Sequence, residues 1–126
     1  MIYGIGVDVL KQERMTQLHE KFGDRLAPRI LMPVELENFG RAKRPLRFLA
    51  MRFAAKEAIV KAMGTGFANG VWIRDVGVVQ NSLGKPEVVY SPRGDELRRK
   101  LGIGEGHVTL TDEAGLVVAV AVLLRA

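Results

Sequence analysis

The chain has 126 residues, 48% of them hydrophobic, a size and composition that predict a single domain with one core spanning residues 1–126. It has no cysteine, which excludes disulfides and thiolate metal sites, and its two histidines are too few for a typical zinc site. A hard cation bound by oxygen remains open. The N-terminus lacks a basic stretch followed by an apolar signal region, and the longest apolar run, Leu116 to Leu124, is far shorter than the ~20 residues of a membrane-spanning helix. We therefore expect a cytoplasmic protein.

The positive charge is concentrated in one part of the chain. The net charge is +5, but residues 11–56 hold eleven Lys/Arg against five Asp/Glu and so carry +6. A basic patch of this kind suits nucleic acid, an anionic membrane or an acidic protein, and solvated helix faces would produce the same pattern.

The first half of the chain is predicted to form one strand followed by helices. Residues 2–10 are rich in β-branched side chains, and their two glycines, Gly4 and Gly6, would let another backbone or a ligand come close. Apolar residues then recur at helical spacing, and glycines such as Gly23 mark helix ends. The predicted elements are a strand over 2–10, helices over 11–22 and 33–39, a basic loop over 40–45 and a longer helix over 46–63.

The second half is predicted to form two hairpins separated by a short helix. The expected strands cover residues 73–80, 87–90, 107–111 and 116–124, and the helix covers 92–101. This order predicts an α+β fold in which an antiparallel sheet packs on a long central helix.

The last strand, Leu116 to Leu124, predicts self-association. It is apolar at odd and even positions alike, whereas a strand with one wet face alternates. Both faces are therefore expected to be buried, and a chain this short has few elements left to cover the second one. We expect a homo-oligomer.

Two acids are the strongest candidates for a site. Asp8 lies in an apolar strand, where a buried carboxylate needs a partner or a metal to offset its desolvation. Glu57 and Lys61 are one helical turn apart at the edge of an apolar stripe, a spacing that also occurs as a simple helix-stabilising ion pair. Two carboxylates from different elements can share Mg²⁺ with substrate phosphates. The sequence thus indicates a magnesium and phosphate site.

Two other features are ambiguous when considered alone. Gly64-Thr65-Gly66 follows the long helix and is typical of a helix C-cap, although its backbone could approach a phosphate. It lacks the Walker pattern, which argues against a nucleoside triphosphatase. His107, at the start of a strand, is more typical of a structural hydrogen-bond partner than of a catalyst.

Four segments in order resemble the holo-acyl-carrier-protein synthase family. They are GIGVDV from Gly4, RFAAKEAIVKAMGTG from Arg52, GKP from Gly84 and HVTLTDE from His107, which together span nearly the whole chain. The resemblance implies the 4′-phosphopantetheinyl transferase fold and a homotrimer with sites between subunits. It also implies transfer of 4′-phosphopantetheine from coenzyme A to a serine of apo acyl carrier protein in fatty acid biosynthesis, with release of adenosine 3′,5′-bisphosphate.

The resemblance also implies roles for individual residues. Asp8 and Glu57 would hold Mg²⁺ on the coenzyme A diphosphate, Lys61 would neutralise phosphate charge, and Glu57 or a metal-bound water would accept the serine proton. An acidic acyl carrier protein would dock on the basic region. The residues implied for coenzyme A are Arg44, Arg52, Gly64, Thr65, Lys85, Pro86, His107 and Thr109, and those implied for the carrier are Arg14, Arg25 and Arg29.

One position departs from the family pattern. The C-terminal strand of the family often reads HVSxSH, whereas Asp112 here occupies the place of the second histidine. Asp112 removes a phosphate donor and adds negative charge, so a nucleotide contact at that position is not expected.

Two rival interpretations were considered. A small basic nucleic-acid-binding module without catalysis would use the +6 region but would leave Asp8 and Glu57 unexplained. An inactive oligomerising subunit would keep the apolar last strand but would not need the acids and Lys61. The sequence favours the magnesium-dependent transferase, acting on coenzyme A and a carrier protein with no nucleic acid or membrane partner.

Overall fold

The fold is built on one five-stranded antiparallel sheet, described for all 126 residues by a computed structural model. The strands are β1 (Ile2–Lys11), β2 (Val76–Gln80), β3 (Pro86–Tyr90), β4 (Ile103–Glu113) and β5 (Leu116–Arg125). Their order across the sheet is β1-β5-β4-β3-β2, so the first strand pairs with the last. The predicted α+β class and antiparallel sheet are confirmed.

Five helices accompany the sheet: α1 (Gln12–Phe22), α2 (Leu26–Ile30), α3 (Pro33–Phe39), α4 (Pro45–Met63) and α5 (Pro92–Lys100). Gly23 ends α1 and Gly64 ends α4, both with positive φ, as their positions in the sequence predicted. The sequence analysis missed α2 and the short 3₁₀ turn over Gly23–Arg25, which continue the chain helically beyond the glycine. No helix is long and apolar enough to cross a membrane.

The helix α4 packs against one face of the sheet and forms the centre of the core. Its alanines at positions 50, 54, 55, 58 and 62 are all buried, which lets the helix lie close to β1 and β5. At Gly4 and Gly6 of β1, an added Cβ would overlap the backbone carbonyls of Ala62 and Ala58. These two glycines therefore permit the close approach of another backbone that the sequence predicted.

The predicted strand over 73–80 is wrong at its start. Residues Ile73–Asp75 form a 3₁₀ turn, and the strand begins at Val76. The Asp75 carboxylate accepts hydrogen bonds from the Trp72 backbone (2.9 Å) and the Ser91 hydroxyl (2.9 Å) and pairs with Arg93. These polar contacts favour the turn over extension of the strand. The predicted strand over 107–111 was too short, because β4 begins at Ile103 and reaches Glu113.

Over β1 and β5, the opposite face of the sheet is apolar and open in the single chain. On β5, Val117, Ala119, Ala121 and Leu123 face the core, while the alternate residues are only half-buried. Beside them on β1, Ile5, Val7 and Val9 are 61%, 52% and 59% exposed. The chain itself therefore buries only one face of β5, and the other face, which was also expected to be buried, is half-buried.

Candidate active site

Asp8 and Lys61 meet where β1 crosses the C-terminal half of α4. The Lys61 ammonium donates to Asp8 Oδ1 and to the Val7 carbonyl, both at 3.1 Å. Asp8 is 15% exposed in its side chain whereas Lys61 is 50% exposed, so the pair lies at the boundary between core and solvent. The strand and the helix thus bring together two residues that are far apart in the sequence.

Glu57 joins this pair from the preceding turn of α4. Burial raises the pKa of the Glu57 carboxyl, and the negative charge of Asp8 raises it further, against smaller opposing effects of Lys61 and Arg14. A cation between the two carboxylates would offset the repulsion that the Asp8 charge exerts on ionised Glu57. The structure therefore brings the three sequence-predicted residues Asp8, Glu57 and Lys61 into one electrostatic unit.

The donor set of this unit fits Mg²⁺ and excludes a fully protein-ligated metal site. No group of three or more His, Cys, Asp or Glu side chains converges anywhere in the chain. Mg²⁺ commonly uses one or two carboxylates and takes its other ligands from water and substrate phosphates, which matches the pair Asp8 and Glu57.

A cavity of about 360 Å³ lies beside the N-terminal half of α4 and contains three of the residues implied for coenzyme A. These are Arg52, Pro86 and Thr109, which the structure brings together with Arg47 and Phe48. The Arg52 guanidinium stacks over the Phe48 ring, 4.4 Å from its centroid. The cavity is polar and positively charged, as an anionic ligand requires.

The other implied residues lie outside this cavity. Some of them line a second cavity, which Pro86 also borders. Lys85, Pro86 and His107 line a separate cavity of about 420 Å³ together with Tyr90 and Arg98. Gly64 caps α4, and the Thr65 hydroxyl donates to the Gly66 carbonyl at 2.9 Å. Arg44 is the residue before α4 and acts electrostatically on Asp112. Within one chain, the implied residues therefore form several groups rather than one pocket.

Asp112 is held by an internal ion pair that the sequence analysis did not anticipate. Arg47 donates to it with two nitrogens, at 2.8 and 2.7 Å, and Gln12 adds a longer contact at 3.4 Å. These bonds lower the pKa of the Asp112 carboxyl and raise that of Arg47. The aspartate thus anchors an arginine of the cavity wall through a contact between β4 and α4, which no local sequence pattern indicates.

The basic region presents its implied partner residues on α1 and the segment after it. Arg25 and Arg29 border a small cavity together with Phe22 and Leu26, and Phe22 is 37% exposed. Arg14 lies near enough to the acids to lower the pKa of Glu57. Arg14 is therefore close to the acidic site, and Arg25 and Arg29 lie together at the small cavity.

Comparisons with known proteins show the family to which the chain belongs. Residues 4–121 match the 4′-phosphopantetheinyl transferase superfamily, and the chain belongs to that superfamily. The relatives it resembles are holo-[acyl-carrier-protein] synthases. That of Neisseria meningitidis serogroup A is 44% identical over 122 residues, covering 97% of this chain and 98% of the relative.

Solved structures give the same result. The crystal structure of the holo-[acyl-carrier-protein] synthase from Neisseria meningitidis superposes with a TM-score of 0.95 at 42% identity, covering 99% of this chain and all of the other. The synthase from Bacillus anthracis, solved in complex with coenzyme A (3′,5′-ADP), superposes with a TM-score of 0.80 at 31% identity, covering 100% of this chain and 99% of the other. Neither comparison lends support to the nucleic-acid-binding interpretation.

Proposed function

We propose that the protein transfers 4′-phosphopantetheine from coenzyme A to a serine of apo acyl carrier protein, giving the holo carrier and adenosine 3′,5′-bisphosphate for fatty acid biosynthesis. The observation that carries the proposal is the unit of Asp8, Glu57 and Lys61, present in a chain that belongs to the transferase superfamily. In this proposal residues 1–126 are one phosphopantetheinyl transferase domain acting in the cytoplasm.

The reaction exchanges one phosphorus–oxygen bond for another. The serine oxygen bonds to the phosphorus that bears pantetheine, and the bond from that phosphorus to the adenosine bisphosphate oxygen breaks, its electron pair leaving with the bisphosphate. The serine proton would pass to Glu57 or to a water. Asp8 and Glu57 would hold Mg²⁺, which when bound withdraws charge from the diphosphate and the departing bisphosphate. Lys61, half-exposed beside Asp8, is placed to neutralise a phosphate oxygen.

The remaining residues are assigned to the two substrates. The adenosine of coenzyme A and its phosphates would bind at two cavities. One is lined by Arg52, Pro86 and Thr109, and the other by Lys85 and His107. Arg44, Gly64 and Thr65 belong to the same assignment. Arg14, Arg25 and Arg29, with the exposed Phe22 ring among them, suit an acidic helical carrier.

The open sheet face supports assembly into a homotrimer with sites between subunits. Ile5, Val7 and Val9 pair in register with Val122, Val120 and Val118, and together they form one contiguous apolar patch. Patches of this kind mark protein interfaces. Assembly would also bring cavity residues of one subunit towards the acids of the next, which accounts for their separation within one chain.

The assembly can be tested by placing a charge in the patch. Val7→Glu puts a carboxylate on a side chain that is already half-exposed, so the chain should fold but not associate. We expect sedimentation at micromolar concentration to change from trimer to monomer and transfer to be lost. Val34→Glu, at an exposed position on α3 and not on the patch strands β1 and β5, is the matched control and should remain trimeric. A trimeric Val7→Glu protein would contradict this interface.

The reaction itself can be followed through the intact mass of the carrier. The protein is incubated with coenzyme A, Mg²⁺ and an apo acyl carrier protein, with a chelator and Asp8→Ala as controls. We expect the carrier to gain one phosphopantetheine only when Mg²⁺ and Asp8 are both present. No gain with several carriers, from a folded and oligomeric protein, would overturn the proposed function.

A further inference from the structure

Two basic side chains share one carboxylate in the interior of the protein. Glu35 of α3 and Lys56 of α4 are both 0% exposed, and Arg52, one turn before Lys56, is 5% exposed. The formal charge of this buried cluster is therefore positive. A buried charge that no partner neutralises is costly, so its retention calls for an explanation.

Within the cluster, Glu35 and Lys56 satisfy each other. Lys56 Nζ lies 2.5 Å from Glu35 Oε1 and donates to the Val76 carbonyl at 2.6 Å. The two carboxylate oxygens also accept backbone hydrogen bonds from Met32 (3.0 Å) and Val78 (2.9 Å). Glu35 is thus fixed from α3, α4 and β2 at once: Oε1 accepts from Lys56 and Met32, whereas Oε2, the oxygen nearest Arg52, accepts only from Val78.

Arg52 is left without a hydrogen-bonding partner. Its Nε is 4.0 Å from Glu35 Oε2, is buried and makes no hydrogen bond. Carboxylates normally engage arginine bidentately, as Asp112 engages Arg47 in this chain. The Arg52 guanidinium instead stacks on Phe48 and lines the 360 Å³ cavity.

We propose that Glu35 and Lys56 are positioning residues: Lys56 neutralises the Glu35 carboxylate and holds it through Oε1, so that Oε2 stays 4.0 Å from Arg52 Nε and the guanidinium remains available to an anionic group in the cavity. Glu35 is already the anion nearest to Arg52. If Lys56 were removed, the Glu35 carboxylate would be left without its cation, and the guanidinium would bind there instead. Because the ligand of Arg52 is taken to be a phosphate of the adenosine moiety, the biological role of this device rests on the proposed function.

The proposal is tested first on the state of Arg52, without any ligand. In ¹⁵N-labelled protein the exchange of the Arg52 Nε–H with water, its signal assigned by its loss in Arg52→Lys, is the reference. In Lys56→Met this Nε–H should become protected by at least about tenfold, because the guanidinium now pairs with Glu35. In Lys56→Met/Glu35→Gln the protection should disappear. If Lys56→Met leaves the exchange unchanged, the proposal is wrong.

The second measurement is the ratio of the affinities for adenosine 3′,5′-bisphosphate and adenosine 5′-monophosphate, determined by calorimetry. This ratio should fall at least about tenfold in Lys56→Met, as in Arg52→Ala, and should recover in the double variant. A purely structural pair predicts that the double variant is no better than the single one, and that result would overturn the proposal. Should Lys56→Met not fold, Glu35→Gln alone must keep or increase the ratio, and a tenfold fall would overturn the proposal.

The two measurements separate the two hypotheses. A wild-type protein without preference for the 3′-phosphate would contradict the assignment of the nucleotide site, and thus that part of the proposed function. The exchange of the Arg52 signal would still decide whether Lys56 keeps Arg52 from Glu35.

Discussion

Replacing Glu57 with glutamine is expected to lower the rate of transfer by at least about 100-fold while leaving the fold intact. The change removes one of the two carboxylates proposed to hold Mg²⁺, and metal stabilisation of developing charge is worth several kcal/mol. Glu57 makes no ion pair within 4.0 Å in the chain, so its structural role is small. The measurement is the rate of phosphopantetheine transfer at saturating coenzyme A.

Although Glu57→Gln should slow transfer, it should not lower the stability of the folded protein at neutral pH. The folded-state pKa of Glu57 is raised above its ordinary value, so the folded protein binds this proton more tightly than the unfolded chain does. Ionisation of Glu57 therefore lowers the free energy of unfolding as the pH rises above the ordinary pKa of the carboxyl. This loss is complete once the pH has passed the pKa of Glu57 in the folded protein. We expect metal-free Glu57→Gln to melt no lower than wild type at pH 7.5, and any advantage to vanish below about pH 4. Normal transfer by this variant would refute the metal assignment.

Replacing Gly6 with alanine is expected to destabilise the folded protein by about 1–3 kcal/mol or more. The new methyl group would overlap the Ala58 carbonyl and approach the Ala62 backbone nitrogen at 2.7 Å, and a helix backbone cannot move aside as a flexible side chain does. The expected result is a lower midpoint in urea denaturation, with some loss of transfer because β1 carries Asp8 two residues on.

Gly40→Ala is the matched control for this change. An added Cβ there would meet the Glu37 and Leu36 carbonyls at 3.5 and 3.9 Å, both ordinary contacts, and φ is −61°. Its stability should equal or slightly exceed that of wild type, because alanine restricts the unfolded chain. Equal stability of Gly6→Ala and Gly40→Ala would mean that β1 and α4 are not packed as closely as described.

The elements of the fold that depend on local patterns could be predicted from the sequence. The helix over 33–39 was predicted at its observed bounds because Pro33 begins it and the apolar spacing continues to Phe39. The glycine stop after Met63 and the hairpin into β5 were likewise local signals. The turn over Ile73–Asp75 could not be foreseen, because the groups that bind the Asp75 carboxylate include Ser91 and Arg93 from a distant segment.

The candidate site shows the same division. Asp8 and Glu57 stood out because a carboxylate in an apolar strand or beside a buried stripe conflicts with its surroundings. Lys56, by contrast, is fully buried although nothing near it in the sequence marks it, because its partner Glu35 comes from another helix. The pair of Arg47 and Asp112 was missed for the same reason, since its members are 65 positions apart.

The pairing of β1 with β5 has a consequence for how the protein is made. Ile2 lies opposite Leu124, and the Arg125 backbone N–H donates to the Met1 carbonyl, so the first strand finds its neighbour only among residues near the other end. Contacts so distant in sequence are formed late and slow the folding of a chain. During synthesis on the ribosome, β1 with its exposed isoleucine and valines must wait until β5 has emerged. An interrupted translation product would present that strand edge to other chains, which makes it a natural target for chaperones and proteases.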